Sequence, residues 1–201
     1  MQLYITTGSP YARMARIMII EKRLVDRVDV VLAQTRLADS PYYSINPSGR
    51  VPYLVRDDGV GMEESALICR YLDHLERRPE FDLPAGESEW EARRLGALAS
   101  SLLDGLPVWG REIVRPENEQ SPTIIRHERD RAGRMVDLWE TEIDHPVMCG
   151  KLNLVQIALA CALGLEVRNP QLHWRPQHSK LRAWFDGIAA RPSFATTAPR
   201  Q

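Results

Sequence analysis

The stretch Gly49-Arg50-Val51-Pro52-Tyr53-Leu54-Val55, followed by Glu64-Ser65, constrains this chain more than any other. The residue before a proline is pushed out of the helical region toward an extended backbone. Val51 therefore belongs to no helix, and its N–H and C=O can pair with another extended segment. Tyr53-Leu54-Val55 reads as a short apolar strand, Asp57-Asp58-Gly59 as a turn, and residues 60–62 as a second strand, which together make a hairpin. A helix then opens on an acid and a hydroxyl at Glu64-Ser65. The free N–H groups of a helix start can hold an anion. An extended edge beside an anion hole suits a short acidic peptide.

The flanking pattern fixes the fold class. Leu3-Tyr4-Ile5 reads as a strand and Thr6-Thr7-Gly8-Ser9-Pro10 as a turn, with Pro10 at the first position of a helix. Tyr11, Met14, Ile17, Met18 and Ile20 then recur at helical spacing up to Lys22. Residues 28–32 form a second strand, and the helix between makes the two parallel, with a right-handed crossover. Residues 34–45 are irregular and polar. The helix from Ser65 places Leu67, Ile68, Tyr71, Leu72 and Leu75 on one face. This order, βαβ then ββα, is that of an α/β thioredoxin-like domain with a mixed sheet, spanning residues 1–78.

Residues 79–86 hold two prolines, two acids and a glycine and read as a linker. Residues 87–201 carry only helical signals, so the second domain is all-α. A long helix from Glu87 to about Arg115 is expected to break or bend at Gly105-Leu106-Pro107. Another runs from Pro122 to about Ile143. A third, apolar nearly all round, should be the buried centre. Asn153 caps it, with Gln156 expected to reach back to the cap and Leu152 to pack on Ile157. An amphipathic helix over 178–190 follows.

Composition removes several function classes. A formal net charge of −1 with mixed signs argues against a nucleic-acid binder. The longest apolar run, residues 152–165, is too short for a membrane span and contains Asn153 and Gln156. Residues 1–7 do not read as a secretory signal. Cys69, Cys149 and Cys161 are widely spaced, which favours reduced, buried thiols and a cytosolic setting. His173 and His178 lack metal-ligand spacing to a cysteine. Residues 126–131 interleave charge signs as a solvated helix face does. Trp109, Trp139, Trp174 and Trp184 sit in or near helices as core residues.

Pro47-Ser48-Gly49-Arg50-Val51-Pro52-Tyr53-Leu54 and Glu64-Ser65-Ala66-Leu67-Ile68-Cys69-Arg70-Tyr71-Leu72 resemble two signatures of the cytosolic glutathione transferase superfamily, here in the form of a bacterial member. The helical half, ending in Arg191-Pro192-Ser193-Phe194, resembles that family's second domain. The resemblance covers nearly the whole chain and implies the glutathione transferase fold. It implies a cis bond at Pro52, with Val51 pairing its backbone to the cysteinyl unit of glutathione. Ser65 would take the γ-glutamyl carboxylate, Glu64 the ammonium, and Arg50 the glycyl carboxylate. Asp104 would be lent across a homodimer to the ammonium. Ser9 would stabilise the thiolate, with Tyr4 as the alternative donor and Thr6 and Thr7 as weaker ones. An electrophile pocket would draw on Tyr11, Pro107, Val108 and Trp109.

The implied reaction is attack of the glutathione thiolate on a small hydrophobic electrophile, as in cytoplasmic detoxification. Glutathione is a co-substrate, with no other cofactor, no metal, no membrane and no nucleic acid. No cysteine lies near Ser9, so disulfide exchange is not expected. Simpler readings stay open for each residue. Ser9 is also a good N-cap, Glu64 and Ser65 a capping pair, and Pro52 an ordinary strand opener. Tyr4 can be a sheet residue, Arg50 an exposed cation, and Asp104 a surface acid. At the level of function, a non-catalytic glutathione-binding or protein-interaction module stays open. So does a glutathione-dependent isomerase, peroxidase or dehalogenase.

Overall fold

Alternation along β1 (Gln2–Ile5) sets the first half of the molecule: Leu3 and Ile5 are buried, and Gln2 and Tyr4 point to the other face. The computed structural model describes residues 1–76, 78–82, 86 and 89–199. Met1–Asp82 with Thr196–Ala198 form one unit, and most of the remainder forms a second.

In the first unit, α1 (Pro10–Glu21) links β1 to β2 (Asp29–Leu32), and the strands pair parallel, Leu3 opposite Val30. β3 (Tyr53–Val55) and β4 (Gly61–Glu63) form an antiparallel hairpin, and α2 (Ser65–Leu75) follows. The sheet order is β2-β1-β3-β4, with β3 antiparallel to β1. This is the mixed sheet read from the sequence. α1 and α2 pack together, and Leu3, Leu54, Ile17, Met18, Ile68 and Leu72 are wholly buried. Each such side chain contributes about 1.5–3 kcal/mol.

β4 starts one residue later than its pattern suggests. Val60 belongs to the turn: its N–H donates to Asp58 Oδ1 at 3.1 Å, and its carbonyl accepts from Arg56 N at 3.0 Å. The irregular segment contains a 3₁₀ turn at Pro41–Ser44.

A buried ion pair ties the end of α1 to α2. Lys22 Nζ donates to Asp73 Oδ1 at 2.8 Å and to the carbonyl of Pro79 at 2.7 Å, and it also reaches the carbonyl of Glu76. Asp73 in turn accepts from the N–H groups of Phe81 and Asp82. The Arg78–Pro79 bond is cis. The expected linker, 79–86, and the expected helix start at Glu87 fall partly outside the described residues.

Every described element of the second unit is helical: α3 (Glu89–Glu112), α4 (Pro122–Glu142), α5 (Pro146–Cys149), α6 (Leu154–Leu163), α7 (Ser179–Ala189) and α8 (Pro192–Thr196), with short 3₁₀ turns between some of them. α3 packs on both α4 and α6, and residues 155–163 of α6 are all buried, the centre its all-round apolar pattern requires.

Two local expectations are corrected. α3 runs through Pro107 without the break expected there. At Gly105 a Cβ would lie 2.5 Å from Glu128 Oε2, so the glycine admits α4 and its Glu128–Arg131 pair. Asn153 does cap α6, Oδ1 accepting from Val155 N at 3.0 Å and Gln156 N at 3.2 Å. Gln156 does not reach back to it. Its Nε2 instead donates to the carbonyls of Val147 at 2.9 Å and Met148 at 3.0 Å, because an amide donor meets the unsatisfied end of α5 there.

Trp109, Trp139 and Trp174 are buried, whereas Trp184 is half-buried and donates to the Met148 carbonyl at 2.9 Å. None of the three cysteines forms a disulfide among the described residues. Cys69 and Cys161 are buried as expected, but Cys149 is exposed, because it ends the short surface helix α5.

The Lys22–Asp73 side chains are 0% and 7% exposed, so removing either partner strands a charge. Asp73→Ala should lower unfolding stability by about 3–5 kcal/mol, and Lys22→Met combined with Asp73→Leu should recover most of it. Urea denaturation midpoints test this; a single mutant with an unshifted midpoint would contradict it.

Candidate functional site

The strand registers bring three segments to one end of the sheet. Tyr4 stands opposite Tyr53, and Tyr53 opposite Glu63. Val51 lies two residues before Tyr53 on one side of this end, and Thr6 and Ser65 lie two residues beyond Tyr4 and Glu63 on the neighbouring segments. The ladder has stopped there: neither the N–H nor the C=O of Val51 has a partner among the described residues. Buried backbone is nearly always paired, and backbone nearer the surface can exchange water for a ligand. A half-buried residue with both groups open is therefore an edge to which a strand can be added. The Val51–Pro52 bond is cis, and Pro52 is buried.

The loop before this edge is tightly held. Asn46 Oδ1 accepts from Ser48 N at 3.1 Å, Ser48 Oγ accepts from Arg50 N at 3.2 Å, and the Ser48 hydroxyl donates to Glu63 Oε2 at 2.5 Å. The Arg50 carbonyl accepts from the Tyr42 hydroxyl at 2.5 Å and Asn46 Nδ2 at 2.9 Å. Burial pushes the Tyr42 phenol above its ordinary pKa, although the Asn46 amide offsets this in part.

Two glycines here sit under tyrosine rings. Gly49 has φ +65°, and a Cβ on it would meet the Tyr43 ring at 2.6 Å. A Cβ on Gly61 would lie 1.9 Å from the Tyr53 hydroxyl.

The second part of the site is the tip of α2. Glu64 is its N-cap at φ 79°, a conformation that costs a non-glycine residue about 1–3 kcal/mol. Its carboxylate folds onto the helix, Oε1 accepting from Ala66 N at 3.1 Å and Oε2 from Leu67 N at 2.9 Å. The expected ammonium contact would be made by a carboxylate already engaged in this way. Ser65 is different. It is 7% exposed, its N–H has no partner among the described residues, and its hydroxyl makes only a 3.4 Å contact with Glu64 Oε1. A hydroxyl and a backbone N–H at a helix start are what a carboxylate needs.

The third part is the tip of α1. Ser9 is the N-cap, its Oγ accepting from Ala12 N at 3.2 Å. That bond uses an oxygen lone pair and leaves the hydroxyl hydrogen to donate. Capping and anion stabilisation are therefore compatible in one serine. Tyr4 is arranged otherwise. Its hydroxyl donates to Gln2 Oε1 at 2.9 Å, and its ring lies 5.6 Å from that of Tyr42. Thr6 is half-buried, its carbonyl accepting from Ser9 N at 3.2 Å, and Thr7 is exposed.

Arg50 is exposed, and its guanidinium has no partner among the described residues. Tyr11 is half-buried on α1 of the first unit. In the second unit Asp104 is exposed on α3, and Pro107 and Val108 are partly exposed. Trp109 is 1% exposed, so its indole belongs to the helical core and offers little wall to a ligand.

Sequence reasoning passed over Tyr42. Asn46 and Ser48 could have been found as turn formers beside Pro47 and Gly49. Tyr42 has no local signal, since its partner lies eight residues away. Among the described residues no group of His, Cys, Asp and Glu is placed to hold a metal, and no helix is long and apolar enough to cross a membrane.

Comparison with known proteins gives the family. Residues 8–75 match the model of the glutathione S-transferase N-terminal domain. The GST-like protein YibF of Escherichia coli K12, itself described as uncharacterized, is 30% identical over 202 residues, covering 99% of this chain and 98% of that one. A glutathione transferase family member from Pseudomonas fluorescens Pf-5, solved with bound glutathione, superposes with a TM-score of 0.90 at 28% identity, covering 100% of this chain and 99% of that one. A glutathione S-transferase from Methylobacillus flagellatus KT, also solved with glutathione, gives 0.88 at 30% identity and 98% coverage of both chains. The chain belongs to the glutathione S-transferase family, and its fold is the family's.

Gly49 meets two demands, a left-handed backbone and the Tyr43 ring. Gly49→Ala should lower stability by about 1–2 kcal/mol from the backbone alone. A thermal melt unchanged within error would show that the loop relaxes freely.

Proposed function

We propose that the protein binds glutathione at this end of the sheet and activates its thiol for transfer to a small hydrophobic electrophile. The observation that carries the reading is the backbone of Val51, whose N–H and C=O have no partner among the described residues just beyond the end of the β1–β3 ladder. Glutathione is an extended, acidic tripeptide. Val51 would pair with its cysteinyl N–H and C=O as an added strand. Ser65 would receive the γ-glutamyl carboxylate, and Arg50, whose guanidinium has no partner among the described residues, the glycyl carboxylate. That relatives were crystallised with glutathione supports glutathione as the ligand.

A free thiol has a pKa of about 8.5 and is mostly protonated at neutral pH, while the thiolate is the nucleophile. A hydroxyl donor and a helix N-terminus both favour the anion. A shift of about two units corresponds to about 2.7 kcal/mol. Ser9 supplies both influences from one position, with its hydrogen directed to sulfur and its oxygen still capping α1. The thiolate then attacks an electrophilic carbon. A carbon–sulfur bond forms, and a leaving group such as halide departs with the bond's electron pair.

The same reading makes the enzyme a cytoplasmic homodimer in which Asp104 approaches the partner's ligand.

Conjugation of glutathione to a chromogenic aryl halide tests the chemistry. Ser9→Ala should lower kcat by about 10- to 100-fold while glutathione still binds. Ser9→Asp keeps a capping oxygen but lacks the donor, and should be as inactive with α1 intact. Tyr4→Phe should act like wild type. Full activity in Ser9→Ala removes Ser9 from the mechanism.

Ser65→Ala should weaken glutathione binding, measured by calorimetry, about tenfold. Equal affinity would place the γ-glutamyl carboxylate elsewhere.

A further inference from the structure

The loop that presents Val51 has an anchor that neither the motif nor the comparisons point to. The Arg50 carbonyl and the Val51 N–H belong to one peptide group, which is planar and, unlike the next bond, trans. In a trans peptide the C=O and N–H point in opposite directions. Whatever fixes the oxygen therefore aims the hydrogen. Two donors converge on that oxygen, the Tyr42 hydroxyl at 2.5 Å and Asn46 Nδ2 at 2.9 Å, and they fill its two lone pairs.

We propose that Tyr42 is a positioning residue for glutathione, its hydroxyl fixing the Arg50–Val51 peptide plane so that the Val51 N–H is held outward for the cysteinyl carbonyl. The inference rests on the reading above and adds a residue that does not itself touch the ligand. Tyr42 suits the task. It is 3% exposed, its ring lies against Tyr4, and its N–H is tied to Ser40 Oγ at 3.2 Å, so it brings little freedom of its own. Its phenol stays protonated because burial disfavours the phenolate, so it remains a donor. A preformed hydrogen-bonding edge spares the ligand the entropy of ordering it.

Tyr42→Phe deletes one oxygen and keeps the ring. By calorimetry with glutathione, affinity should fall about five- to tenfold, the worth of one hydrogen bond. In the conjugation assay KM for glutathione should rise by the same factor while kcat at saturation holds. Tyr43→Phe is the control. Its hydroxyl accepts from Arg36 N at 3.0 Å and does not touch the Arg50 carbonyl, so affinity should not change. A purely structural role for Tyr42 would lower the melting temperature and leave affinity and KM alone. That result, or an equal loss in Tyr43→Phe, overturns the proposal while the glutathione reading stands. If the wild type itself fails to bind glutathione, the reading falls and the proposal with it.

Discussion

A peptide group inside a protein must find partners for both its ends, and this fold leaves one edge deliberately short of them. The β1–β3 and β3–β4 ladders end at Tyr53, two residues after Val51. Much of the first unit serves to keep that edge open without letting it wander. Pro52 cannot donate, so the ladder cannot continue through it. Asn46 and Tyr42 satisfy the Arg50 carbonyl, and Ser48 Oγ accepts from the Arg50 N–H. The Lys22–Asp73 pair fastens α1 to α2, the two helices whose tips carry Ser9 and Ser65. The tips can hold a fixed spacing only if their shafts do.

Two of the rival readings of single residues were not rivals. A serine hydroxyl has an acceptor end and a donor end, and a helix cap uses only the first. Glu64 is similar. Its carboxylate caps Ala66 and Leu67, in a backbone conformation that glycine would adopt at less cost, and each oxygen keeps a lone pair with which to meet an ammonium.

Much of the fold was legible because hydrophobic period and turn chemistry are local. The α1 stripe, the Asp-Gly turn and the Asn153 cap needed nothing beyond their neighbours in sequence. Errors came where a distant group decided. Gly105 and Pro107 look like a break until Glu128 and Arg131 are seen filling the glycine's place. Gln156 looks like half of a capping box until the carbonyls of α5 compete for it. Cys149 looked like its buried fellows because the short α5 gave no periodic signal. In the site, Val51, Glu64 and Ser65 were readable from their motif. Tyr42 was not, since nothing in Pro41-Tyr42-Tyr43 says which backbone oxygen a phenol will reach.

The two glycine–tyrosine contacts carry a consequence for how such sequences diverge. Any side chain at position 61 would need the Tyr53 ring to leave its place, and one at position 49 would press on Tyr43. Drift at either glycine is thus conditional on a smaller neighbour arriving first or together. Among descendants of this chain, positions 61 and 53 should co-vary as a pair, with bulk appearing on one side only as it is lost from the other.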